Sequence, residues 1–191
     1  MTHCDLDVLK HQFPIVKLFI YHLIYARIVR ESYRTSQIQN EFWSLTSDAH
    51  LLRAVNYWCM VFGKDNEATH WKCLVKKSKD DVRAFREGLF RETGLDEDGW
   101  RDYWTGITTF RDKYAAHREL EPFTDPVPDF DNTLLVAHYY DWWVRNIVAP
   151  PGIWEEPPLK QFTQSLQQST IPLINKLLVE TKKMAVMAVE P

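Results

Sequence analysis

The chain has 191 residues, 45% of them hydrophobic and 14% aromatic, and only six glycines. That is ample apolar material for one packed domain and too few turn formers for a strand-dense fold. A formal net charge of -3 excludes a global basic field for nucleic acid, so any RNA or DNA contact must be local.

Leu6, Leu9, Phe13, Val16, Ile20 and Leu23 approximate steps of three and four and predict a first helix over 5–34, starting or kinking at Pro14. Residues 36–62 read as helix in two pieces, broken near Thr46-Ser47-Asp48, with Asp48 capping the second piece and Gly63 stopping it. A short polar linker covers 64–71. Ser78 then opens a helix over 79–91 in a capping-box-like arrangement, with Asp81 in place of Glu, and Gly94 ends it. Asp96, Glu97 and Asp98 suit the positive end of a helix dipole and open a long helix to about Leu120, where Pro122 stops it. Residues 121–130 form a loop. Asp131 or Asn132 caps a helix to roughly Val148, a second Pro-rich loop covers 149–158, and a last helix runs over about 159–188, kinked or split at Pro172. The expectation is an all-α, up-and-down bundle of five to seven helices in a single domain over 1–191, with its long motif-bearing helix near 96–120.

Cys4, Cys59 and Cys73 are odd in number and irregular in spacing, which argues against a disulfide framework and for buried structural thiols. Cys59, His70 and Cys73 lack paired metal-ligand spacing, so no metal and no cofactor is expected. No apolar run reaches the ~18 residues of a membrane span. The N-terminus has no signal-peptide pattern, and the expected location is cytoplasmic with no membrane partner. Phosphate loops, dinucleotide turns, nucleophile elbows and His-Glu-x-x-His pairs are missing from the sequence, which argues against the usual NTPases, Rossmann enzymes, serine hydrolases and zinc proteases.

The candidate chemistry lies in Phe110-Arg111-Asp112-Lys113-Tyr114-Ala115-Ala116-His117-Arg118-Glu119. Trp100, Tyr103, Ile107, Phe110 and Tyr114 form an apolar stripe whose next position is His117. In a uniform α-helix, Arg111 and His117 stand about 120° apart, a poor pair within one helix and a better one across two copies of it. An Arg offers a planar fork of donors to a phosphate, and a His moves protons near neutral pH. The bland alternative is a satisfied core histidine beside an Arg paired to a carboxylate.

This segment resembles the Arg-x4-6-His motif of HEPN domains (higher eukaryotes and prokaryotes nucleotide-binding), in the form found in abortive-infection-type HEPN proteins. Tyr57-Trp58-Cys59-Met60-Val61-Phe62-Gly63 and Thr69-His70-Trp71-Lys72 also look like segments of such proteins. The resemblance covers about 50–148, the motif-bearing core, and implies a HEPN-like helical bundle. It also implies a homodimer formed through the motif helix, in which Arg111 and His117, with Asp112 as a third residue, cleave RNA without metal. A toxin–antitoxin or phage-defence setting, with a cognate antitoxin protein as partner, comes with it. Some HEPN toxins carry a Tyr two positions after the His, where this chain has Glu119. The alternative is a non-catalytic helical interaction or nucleotide-binding protein on the same scaffold.

Two further segments carry weaker signals. Lys72, Lys76, Lys79, Arg83 and Arg86 share a face if one helix continues through them, either a phosphate-tracking surface or simply a solvated one. Trp71 beside them reads as a base platform or, more plainly, as packing. His138, Asp141 and Trp142 share a face, as a general-base pair or as a core corner with its polar tips satisfied.

Overall fold

In a computed structural model, residues 4–36, 40–76, 78–116 and 127–187 are described. The described residues form an all-helical bundle: α1 (Leu6–Ser36), α2 (Glu41–Phe62), α3 (Trp71–Leu74), α4 (Lys79–Thr93), α5 (Glu97–Phe110), α6 (Asp131–Trp143) and α7 (Leu159–Met187). Two π-helical turns extend α5 and α6, at Arg111–Ala116 and Val144–Val148.

Local chemistry accounts for most of the boundaries. Asn40 caps α2 by accepting from the Phe42 N–H. Ser78 accepts from the Asp81 N–H and caps α4, and Gly94 closes that helix in the left-handed conformation at φ 70°. Asp96 accepts from the Gly99 N–H at 2.8 Å and caps α5. α6 is held differently. Its Phe130 cap residue makes no side-chain capping bond, and Tyr103 of α5 accepts from the Thr133 N–H at 3.0 Å. Asp129 Oδ1, which accepts from the Asp131 N–H at 2.9 Å, and this tertiary contact together do what Asp131 or Asn132 was expected to do, while Asp131 pairs with Arg27 at 2.6 Å.

α1 starts at Leu6 and continues through Pro14, so it does not begin there, and α7 is not split at Pro172. α2 is one helix, because the residues read as its break are used sideways. The Ser47 hydroxyl donates to the Ala26 carbonyl at 3.0 Å, and Asp48 pairs with Arg30 at 3.0 Å, which binds α2 to α1.

One contiguous apolar core draws buried side chains from all seven helices, among them Phe19 and Ile24 of α1, Trp58 of α2, Phe85 of α4 and Tyr140 of α6. α1 packs along α2 and also meets α7, while α4 packs against α6. That last contact is close: a Cβ at Gly88 would fall 1.8 Å from the Tyr139 hydroxyl. α1 is long and apolar enough to cross a membrane by length and composition, yet half of its most apolar stretch is buried inside the bundle. Of the cysteines, Cys59 is buried as expected, whereas Cys4 and Cys73 are half-buried.

Candidate functional site

The stripe on α5 packs as its spacing predicts: Ile107 and Phe110 are buried, and Trp100, Tyr103 and Tyr114 lie against the core. At Arg111 the helix changes character. The Arg111 N–H still reaches the carbonyls of Ile107 and Thr108, but residues 111–116 form a π-turn. Such wide turns close i→i+5 bonds and occur frequently at functional sites. They also change the angular step per residue, so the step of about 100° in a uniform α-helix does not hold over 111–116. His117 lies outside the described residues.

Arg111 is largely sheltered, with 17% of its side chain exposed, and its Nε donates to Asp112 Oδ1 at 2.6 Å. The second carboxylate oxygen, Oδ2, accepts from Lys64 Nζ at 3.2 Å. Burial pushes the Asp112 carboxyl up, but hydrogen bonds from Lys64 and Arg111 and their charges outweigh it and hold the group below its ordinary value. Asp112 therefore stays ionised at neutral pH and orients Arg111 rather than supplying a proton. Cys59 feels the Arg111 charge as well, yet burial dominates and drives its thiol up to about 12, which removes it as a nucleophile.

The segment after α2 is tied down residue by residue. The Gly63 N–H donates to the Cys59 carbonyl, and a Cβ at this position would meet that oxygen at 2.4 Å. Thr69 donates its hydroxyl to the Met60 carbonyl at 2.8 Å, His70 Nδ1 accepts from the Lys72 N–H, and Lys72 pairs with Asp65 at 2.9 Å. A buried relay anchors the segment to the core. Gln12 Nε2 donates to the His70 carbonyl at 2.8 Å, and Gln12 Oε1 accepts from the Tyr140 hydroxyl at 2.7 Å. From α5, Trp104 Nε1 donates to the Phe62 carbonyl at 2.9 Å.

These ties frame a half-open cavity of about 370 Å³ between the 63–72 segment, α4 and α5. Its apolar walls are Phe62, Trp71, Leu89, Phe90, Trp100 and Trp104. Its charged lining is Lys64, Lys72, Arg86 and Arg101 against Asp65 and Glu97. Lys64 belongs both to this lining and to the Arg111–Asp112 cluster, so the two are contiguous.

The basic face read from 72–86 is not one helix row. α3 ends after four residues, and Lys76 takes φ 49°, which turns the chain before α4. Lys72 and Arg86 reach the cavity, while Arg83 is exposed and paired with Asp80 at 2.9 Å. Trp71 packs on Phe85, ring centroids 4.1 Å apart, and edges the cavity as well. His138 and Asp141 both serve the junction with α7. His138 Nε2 meets Thr163 Oγ1 at 2.9 Å, and Asp141 takes Arg145 Nε at 2.6 Å and the Leu159 N–H at 2.8 Å. They form a core corner, with Trp142 half exposed beside it. Among the described residues no three His, Cys, Asp or Glu side chains gather as metal ligands.

The cavity was not foreseen from the sequence. Its signals were present but scattered: Trp100 and Trp104 one turn apart on α5, and the two aromatic segments 57–63 and 69–72, which meet at its wall. Set against protein-family models, curated proteins and solved structures, the chain matches none.

Proposed function

We propose that this chain is a HEPN-like, metal-independent endoribonuclease that acts as a cytoplasmic homodimer, in a toxin–antitoxin or phage-defence setting with a cognate antitoxin protein as partner. The observation that supports it best is the Arg111–Asp112–Lys64 cluster on the π-turn. Asp112 holds the guanidinium by Nε, and among the described residues this leaves the Nη groups to a phosphate. A carboxylate between two cations also fixes the positive charge that a phosphorane's extra negative charge needs.

In this reading the ribose 2′-oxygen attacks the adjacent phosphorus and loses its proton to a base. The bond from phosphorus to the 5′-oxygen breaks, and the leaving oxygen takes a proton from an acid. The products are a 2′,3′-cyclic phosphate and a 5′-hydroxyl. Arg111 binds the scissile phosphate, Asp112 positions Arg111, and His117 moves a proton. Two copies of the motif helix complete the cleft.

The test is substitution with a folding control. Arg111→Ala and His117→Ala each abolish RNA cleavage and any growth toxicity, while the melting temperature stays near that of the wild type. Cleavage that survives both changes sinks the proposal.

A further inference from the structure

The cavity beside Arg111 combines three properties that the catalytic reading does not use. Its volume of about 370 Å³ lies in the range of small-ligand sites. It is walled by five aromatic rings, on which a planar base stacks without regard to sequence. It also places four cations against two carboxylates in a chain whose formal net charge is -3. Three of those cations are held in ion pairs: Lys64 by Asp112, Lys72 by Asp65 and Arg101 by Asp98. Arg86 is exposed and makes no ion pair among the described residues. A ligand that satisfies this lining needs a flat aromatic part and an anionic part a few ångströms away.

We infer that this cavity binds a nucleotide, its base against the Trp100 and Trp104 wall and its phosphate at Arg86 and Lys72. The wall is built to persist without ligand. Trp104 is pinned by its Nε1 to the Phe62 carbonyl, Trp71 is stacked on Phe85, and the opposite segment is anchored through Gln12 to Tyr140. Because Lys64 links the cavity to Asp112, a base held here sits beside the phosphate that Arg111 would grip. That placement, as a base-reading subsite, rests on the ribonuclease reading. Nucleotide binding by itself does not. The same chemistry arrives from two sources, a free mononucleotide or one residue of an RNA strand.

The experiment titrates the full chain with AMP, GMP, CMP and UMP, and with a 2′-O-methyl RNA hexamer that cannot be cleaved, following tryptophan fluorescence and calorimetry. The expected result is saturable binding with fluorescence quenching. Arg86→Glu is expected to weaken binding at least tenfold and Arg101→Glu severalfold. Arg83→Glu, on the same helix but outside the cavity lining, leaves it unchanged. Binding of mononucleotides as tight as the hexamer marks a free-nucleotide site, and hexamer binding at least tenfold tighter marks an RNA subsite. Either result supports the inference. No binding of any probe, or binding that is indifferent to Arg86→Glu, overturns it. The two readings fail separately. Cleavage that depends on Arg111 without nucleotide binding in the cavity removes only the subsite, and binding without cleavage removes only the ribonuclease.

Discussion

Gln12 shows how one buried polar side chain can position a site it does not touch. It is fully buried on α1, and its amide joins the His70 carbonyl to the Tyr140 hydroxyl. Gln12→Leu leaves the Tyr140 hydroxyl buried without this acceptor, at a cost of about 1–3 kcal/mol, and leaves the His70 carbonyl with the Cys73 N–H alone. The expected outcome is a lower chemical-denaturation midpoint together with weaker nucleotide binding, because the 63–72 segment loses its anchor. An unchanged midpoint would contradict the relay. Arg145 is a second such residue. It pairs with the nearly buried Asp141, donates to the Glu156 and Pro157 carbonyls, and lies 4.2 Å from the centroid of the Trp154 ring. Arg145→Ala strands the Asp141 carboxylate and is expected to cost about 3–5 kcal/mol in a urea melt. Neither role was legible in the sequence. Gln12 looks like an ordinary polar position on a helix, and its partners lie 58 and 128 positions away.

At the scale of elements, periodicity and capping chemistry carried far. The stripe on α5, the Ser78 and Asp96 caps and the Gly94 stop are local, and short-range physics decides them. What periodicity missed depends on partners. Ser47 and Asp48 look like a break until α1 supplies Ala26 and Arg30, and Tyr103 adds a tertiary cap on α6 beside the local one from Asp129. The π-turn at Arg111 was also hidden, since an apolar stripe reads alike in a helix that widens at its end. The α6–α7 junction yields a pH prediction. Burial pushes the His138 imidazole down to about 4 from 6.5, with Lys160 adding to the shift, and burial lowers His22 and His50 as well. A group whose folded value is depressed takes up its proton more readily when unfolded, so stability falls as pH drops from 6.5 toward 4. His138→Gln should flatten that part of a stability–pH curve measured by urea melts. An identical slope in the variant would show that His138 does not control it.

At the scale of the whole molecule, the helical bundle follows from composition and pattern, and the site follows only in part. Arg111 and Asp112 were legible as a motif, whereas the aromatic, cationic cavity beside them assembles from three stretches far apart in sequence. If two motif helices complete the cleft, the active species is a dimer of 22.7 kDa protomers. Light scattering is expected to give twice the protomer mass, and specific activity should fall on dilution below the dimer's dissociation constant. A fully active monomer would count against the shared cleft.

The ends of the RNA product, determined in excess EDTA, test the central claim most directly. Wild-type protein is expected to leave 2′,3′-cyclic phosphate and 5′-hydroxyl ends at an undiminished rate, with none formed by Arg111→Ala or His117→Ala. Products with 3′-hydroxyl and 5′-phosphate ends, loss of activity in EDTA, or cleavage by the Arg111→Ala, His117→Ala double variant would contradict it.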